Sequence, residues 1–389
     1  MTRYNFDTVI NRHNTQSVKF DGLKELFGRT DLVPLWVADM DFEVCPEISE
    51  ALQRRIAHHI YGYAVADDSY WQSIIDWQQR RNNFSFSREE VTYVPGVVKA
   101  IGFAVNYFTR PGDTVVIQPP VYHPFRIVTE GNGRKVAANP LIRHGDTFSM
   151  DFNGLEQIFA YQHPKLMILC NPHNPIGITW NKDTLVRLAR LCKQYGVLVI
   201  SDEIHGDLAM FGNRFTPFAT CCDEAAQNSV VFGAPSKTFN IPGLVSSWTV
   251  VKNPDIRRGF FQWLEANEFD APTFVATVAT EAAYNHGEEW LEQAKAYIED
   301  NIRFIEQYCN QYIPLVHPIR PEASFLVWLD CSALNLCHDA LVDTFINKAH
   351  LALNDGEIFG AEGAGCMRLN VATARSVIAD ALEKLRLAL

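Results

Sequence analysis

An α/β protein, with a mostly parallel sheet flanked by helices in a large domain and a smaller α+β domain beside it, is the fold this sequence predicts. Two observations predict it. From about Pro46 to Asn285 short apolar runs alternate with amphipathic stretches, the pattern of helices packed on a parallel sheet. Beyond that stretch the short runs give way to sustained helical periodicity and then to a few isolated strands. At 389 residues the chain exceeds one small core, and roughly 150 residues per domain suggests two or three, of which two is preferred.

The elements follow in order. Pro95-Gly96-Val97-Val98 opens an amphipathic helix that runs to Tyr107. Val115-Val116-Ile117-Gln118, Lys165 to Cys170 and Val197 to Ser201 are short apolar runs of strand length, and Lys182 to Tyr195 is an amphipathic helix between two of them. From Ala271 to Gln311 apolar residues recur at steps of three and four, among them Trp290, Ala294, Tyr297, Ile298, Ile302 and Ile305, which predicts one long connecting helix. Ser324 to Leu329 and Met367 to Val371 then read as strands, and Arg375 to Leu389 as a closing helix. The resulting boundaries are residues 46–285 for the large domain, and residues 1–45 with 286–389 for the small one.

Composition narrows the function. Hydrophobic residues are 47% and charged residues 20%, the balance of a globular enzyme with a large core. A formal net charge of -11 with no cluster of Lys and Arg argues against nucleic acid. No apolar run reaches the ~18 residues a membrane helix needs, and the start at Met1 lacks the apolar core of a secretion signal, so a cytoplasmic protein is expected. Nine scattered cysteines without a C-x-x-C pair predict reduced, mostly buried thiols, Cys221 and Cys222 included. His58-His59 and Asp202 with His205 lack a third ligand at metal spacing, and none of the standard hydrolase, phosphate-loop or zincin motifs is present; no metal is expected.

Ligands of an open parallel sheet gather outside the carboxyl ends of its strands, so the residues closing the apolar runs are the candidates. Lys237, in Gly233 to Asn240, supplies an amine able to form an imine, and Asp202 an acid able to keep a ring nitrogen protonated; together they suggest pyridoxal phosphate chemistry. His205 lies three residues after Asp202, within reach of the same ring. Asn174 sits in a turn made rigid by Pro172, Pro175 and Gly177, and its amide can donate to a phenolate-like oxygen. Tyr122, between Pro120 and Pro124, can stack on an aromatic face. Gly96 and Val97 open a helix whose free amides can hold a phosphate. Arg368 can clamp a carboxylate with paired hydrogen bonds, and Tyr63 stands between a helix and a polar loop. Each has an ordinary alternative: a turn or cap for Asp202 and Asn174, a solvated loop for His205, packing for Tyr122 and Tyr63, a surface ion pair for Arg368.

Taken as an ordered set, Tyr122, Asn171 to Pro175, Ser201 to His205 and Ser236 to Asn240 resemble the fold type I pyridoxal-phosphate enzymes of the aminotransferase class I/II superfamily over nearly the whole chain. Within it, Trp36 to Phe42, Pro120 to Phe125 and Ser236 to Pro242 resemble the MalY/PatB-type cystathionine beta-lyases. The resemblance implies the PLP-dependent transferase fold, with pyridoxal 5'-phosphate held covalently as an aldimine at Lys237, Asp202 on the ring nitrogen, Asn174 on the ring oxygen and Tyr122 stacked on the ring. It implies Gly96, Val97 and Ser236 near the phosphate, and Arg368 and Ala38 at the substrate. It also implies a homodimer with shared active sites, in which Tyr63, a catalytic and cofactor-binding residue by the same resemblance, reaches the phosphate from the neighbouring subunit. Where many transaminases of the superfamily carry a phosphate-binding arginine this chain has Val245, and where they carry a tyrosine it has His205. The activity implied is carbon-sulfur beta-elimination from a small sulfur-containing amino acid; transamination by the same residues is the alternative, and a regulatory protein that keeps the fold is a third, against which the retained Lys237, Asp202 and Asn174 argue.

Overall fold

The computed structural model describes residues 4–389. Its main sheet has seven strands: β1 (Val91–Val94), β2 (Thr114–Ile117), β3 (Lys135–Ala138), β4 (Leu166–Cys170), β5 (Leu198–Asp202), β6 (Ser229–Gly233) and β7 (Ser247–Val250), in spatial order β1-β7-β6-β5-β4-β2-β3. The run from β6 through β5, β4 and β2 to β3 is parallel, and β7 is antiparallel to both of its neighbours. The central strands β4 and β6 are buried along their whole length, as a sheet covered on both faces requires. After β2 the chain extends the sheet on one side to β3, then returns to the other side with β4 and continues to β5 and β6. The crevice of this fold therefore lies at the carboxyl ends of β2 and β4.

The helices that bear on the site and its frame include α1 (Pro46–Ile56), α2 (Asp68–Asn82), α3 (Val97–Phe108), α4 (Lys182–Tyr195), α5 (Pro235–Thr238), α6 (Phe274–His286), α7 (Glu288–Tyr312) and α8 (Arg375–Ala388). The sequence predicts a single helix from Ala271 to Gln311; the structure has two, α6 and α7, meeting at Gly287. A side chain at Gly287 would run 2.4 Å from the Phe239 ring and 2.7 Å from the Ala283 carbonyl, so the chain turns where only glycine fits. Alanines 276, 279, 282 and 283 are buried along α6, which lets it pack closely on α1 and α2. The 25 residues of α7 bury Trp290, Leu291, Ala294, Ile298, Ile302 and Ile305 on one stripe. At roughly 1.5–3 kcal/mol for each large side chain, that stripe supplies the bulk of the helix's attachment.

A second sheet, β8 (His317–Ile319), β9 (Leu326–Asp330), β10 (Asn354–Asp355) and β11 (Cys366–Asn370), is antiparallel in the order β8-β9-β11-β10. Val33–Pro34 pairs in parallel with Leu351–Ala352, which joins the N-terminal segment to this part of the chain. Buried Asn301 of α7 donates to the Val371 and Thr373 carbonyls and accepts from Arg375, tying α7 to the end of β11 and the start of α8. No helix among the described residues is long and apolar enough to cross a membrane. The nine cysteines are free, with the sulfurs of Cys221 and Cys222 3.8 Å apart.

Candidate active site

A cavity of about 260 Å³ opens at the carboxyl ends of the parallel strands. Asp202 ends β5, Asn174 follows β4, Tyr122 follows β2, and Lys237 lies on α5, the one-turn helix after β6. All four line the cavity, with Ala38, Gly96, Val97, His205 and Ser236. The loops are tied together: the Tyr122 amide donates to the Asn174 carbonyl at 2.9 Å, and the Val121 amide to the Phe359 carbonyl at 2.9 Å.

Burial sets the charges. The Lys237 ammonium is pulled down from 10.5 to about 8 by burial, opposed by Asp39 and Asp202 and assisted by Arg368. Its amine donates to the Ala38 carbonyl at 2.7 Å. Burial pushes Asp202 up to about 7 against the Ile204 amide, which donates to it at 3.1 Å, and against Lys237. His205 is driven down to about 3, by burial first and then by Lys237 and Arg368, and its Nδ1 is buried without a partner among the described residues. Tyr122 is raised to about 12, chiefly by burial and next by Asp202.

Arg368, on β11, lies just behind this lining. It is 4% exposed, and burial lowers it to about 10. No carboxylate pairs with it among the described residues; it donates to Asn174 Oδ1 at 3.1 Å, to the Trp36 carbonyl at 2.8 Å and to Asn354 Oδ1, and its Nε is unpartnered. The surface ion pair open to it in the sequence is thus absent. Tyr63 stands apart: it is fully exposed and does not line the cavity of its own chain.

Three lining residues escape a reading of the sequence. Lys99, in the first turn of α3, is the one cation of the lining besides Lys237 among the described residues, and Ser246 and Ser247 follow Val245 along the same wall. Lys99 had a signal, since it stands one turn into a helix that begins at Gly96, held at φ 102°. The serines had none.

The donor set fits a planar aromatic ring with a protonatable nitrogen, an anionic oxygen and a phosphate tail. Asp202, 3% exposed, accepts one hydrogen bond and calls for a cation. The Asn174 side-chain oxygen is engaged by Arg368, which leaves its amide nitrogen as a donor. Free amides of α3, with Ser236, Ser246, Ser247 and Lys99, suit a phosphate.

Comparison with known proteins bears on the same residues. The profile of the family "Aminotransferase class I and II" matches residues 30–385. Cystathionine beta-lyase PatB of Bacillus subtilis is 42% identical over 385 residues, covering 99% of this chain and all of PatB. Protein MalY of Escherichia coli is 32% identical over 96% of this chain and 95% of its own. Among solved structures, cystalysin from Treponema denticola, which contains a pyridoxal 5'-phosphate cofactor, superimposes with a TM-score of 0.96 at 33% identity, covering 100% of this chain and 99% of its own. The PLP-bound C-S lyase from Staphylococcus hominis gives 0.92 at 30% identity, over 100% and 98%. With its family profile matched over almost the whole length and its catalytic lysine candidate at the sheet's crevice, the chain belongs to the aminotransferase class I and II family.

Proposed function

We propose that the protein is a pyridoxal-5'-phosphate-dependent carbon-sulfur beta-lyase acting on a small sulfur-containing amino acid such as cystathionine, cystine or a cysteine S-conjugate. The observation that carries this reading is the buried Lys237 amine, lowered to about 8 and sharing one cavity with the open carboxylate of Asp202. The relation to the cystathionine beta-lyase PatB supports lyase chemistry over amine exchange. So do Val245 and His205 at positions where transaminases differ.

When bound, the cofactor supplies an electron sink for negative charge at the substrate's alpha carbon. Lys237 would hold the group, with Asp202 available to its ring nitrogen, Asn174 to its ring oxygen and Tyr122 to its ring face; Gly96, Val97, Ser236 and Lys99 would serve the phosphate. Arg368 and the Ala38 segment orient the substrate carboxylate. The neutral Lys237 amine accepts the alpha proton. The carbon-sulfur bond at the beta carbon then breaks, the thiolate leaving with its electron pair, and hydrolysis of the three-carbon fragment gives pyruvate and ammonia.

Residues 46–285 form the cofactor-bearing unit in this reading, and residues 1–45 with 286–389 the smaller one. The sheets support that division, since one is drawn from Val91 to Val250 and the other from His317 to Asn370. Tyr63 acts from a second copy of the chain, supported by its full exposure beside exposed Ile60, Tyr61 and Val65. A cytoplasmic, reducing compartment suits nine free thiols.

Incubation with L-cystathionine tests the activity. Pyruvate without any added keto acid is expected, and product that appears only with a keto acceptor would establish a transaminase instead. Lys237→Ala is expected to lose about a thousandfold or more of the pyruvate release while the circular dichroism stays native. A molar mass in solution of one chain would remove Tyr63 from the shared site.

A further inference from the structure

The loop Trp36 to Phe42 approaches Lys237 with its main chain, and nearly every carbonyl along it is already taken by a side chain from elsewhere. Arg368 donates to the Trp36 carbonyl at 2.8 Å, Asn370 to those of Val37 and Asp39 at 2.6 Å each. Arg12 and Asn240 donate to the Met40 carbonyl at 3.2 and 3.0 Å, and Asn240 to that of Phe42 at 2.9 Å. The Ala38 carbonyl is left for Lys237, 2.7 Å from its amine.

The acids that flank this carbonyl are fixed by a second set of contacts. Arg12 grips Asp39 through two nitrogens, at 2.6 and 3.1 Å, and reaches Asp41 at 2.7 Å. Lys19, with none of its surface exposed, donates to Asp41 at 2.7 Å and lies 3.7 Å from Asp39. Trp36 closes the frame by donating its indole N–H to the Lys19 carbonyl at 3.1 Å. A cavity of about 580 Å³ lies between this segment, the loop and Lys237, so close packing does not hold the lysine from that side. Its direction is set by the Ala38 carbonyl.

We propose that Arg12, Lys19, Asp39 and Asp41 form a charged strap whose task in catalysis is positioning: it fixes the Ala38 carbonyl, and through it the place and protonation of the Lys237 amine. The inference rests on the lyase reading for its chemistry. The groups facing the amine are Asp39, Asp202, His205 and Arg368. Asp39 is the one among them that the strap holds, so loosening the strap changes the lysine's distance to its acceptor and to a carboxylate together. A misplacement of about 1 Å at a reacting group can cost on the order of 100-fold in rate.

The test compares Lys19→Met, Asp41→Asn and the double variant, each as holoenzyme. Each single variant breaks the buried Lys19–Asp41 pair, leaving Asp41 to Arg12 alone or Lys19 to Asp39 at 3.7 Å, and is expected to unfold at lower urea; the double variant is expected to recover part of that loss. Positioning requires that the double variant nevertheless show a kcat for pyruvate release down about tenfold or more, with KM changed less than about threefold. It also requires a displaced midpoint in the pH titration of the bound cofactor's absorbance, with Asp41→Glu restoring part of both. A double variant whose kcat and absorbance midpoint match wild type would reduce the strap to a stabilising ion cluster and overturn the proposal. Should wild type release no pyruvate, the lyase reading fails, while the absorbance titrations of the variants still decide the positioning role.

Discussion

Asp41 and Asp202 are both buried carboxylates near Lys237, 8% and 3% exposed, yet they are treated in opposite ways. Asp41 is closed: Lys19 and Arg12 each reach it at 2.7 Å, and its backbone amide is bonded to the Ala372 carbonyl. Asp202 is open: among the described residues its carboxylate accepts from the Ile204 amide alone, and desolvation leaves it pushed up to about 7. A charge satisfied by its own chain holds structure, whereas one left unsatisfied in a cavity is held ready for a ligand's charge.

Exchanging these two residues' chemistry would break the contrast. Of the two, the larger effect on turnover is expected from Asp202→Asn, which should lower pyruvate release about 100-fold or more, because a neutral amide no longer stabilises a positive ring nitrogen. In protein stripped of cofactor the same change should leave the unfolding midpoint at pH 7 unchanged or raised. The sign follows from the raised pKa: the folded state holds the Asp202 proton more tightly than the unfolded chain, so its carboxylate opposes folding increasingly as pH rises from about 3.8 to about 7. Asp41→Asn should do the reverse, costing about 3 kcal/mol in urea unfolding by leaving the buried Lys19 ammonium only Asp39, 3.7 Å away.

A smaller effect sharpens the comparison at Lys237 itself. The lysine must be neutral to attack a carbonyl, and its ammonium sits at about 8, so the rate at which stripped protein takes up cofactor should climb as pH rises through about 8, levelling above it. A climb that continued to about 10.5 would show the amine to be solvated. Because Asp39 raises the lysine's pKa, Asp39→Asn should move the midpoint downward.

Legibility in the sequence followed the range of the interaction. Tyr122, Asn174, Asp202 and Lys237 each close a strand or open the turn after one, and their residue types within short motifs were enough to single them out. Lys99 was within reach of the same reasoning. By contrast, Asn240 and Asn370 hold the Ala38 loop from about 200 and 330 positions away in the chain, and an asparagine that caps a remote carbonyl carries no local pattern. Gly287 belongs to the same class: helical periodicity continues across it, and the break comes from the Phe239 ring packed against its backbone.

The sequence by itself determined the alternation of strand and helix, the crevice residues and the family, because apolar periodicity and strand-end chemistry are local properties of the chain. Only the tertiary structure decided that Arg368 is buried with no carboxylate partner among the described residues, that α6 and α7 are separate, and that the Lys237 amine points to the Ala38 carbonyl in a pinned loop. Those facts depend on desolvation and on contacts between segments far apart in the chain, which exist only once the two sheets and the N-terminal segment are packed together.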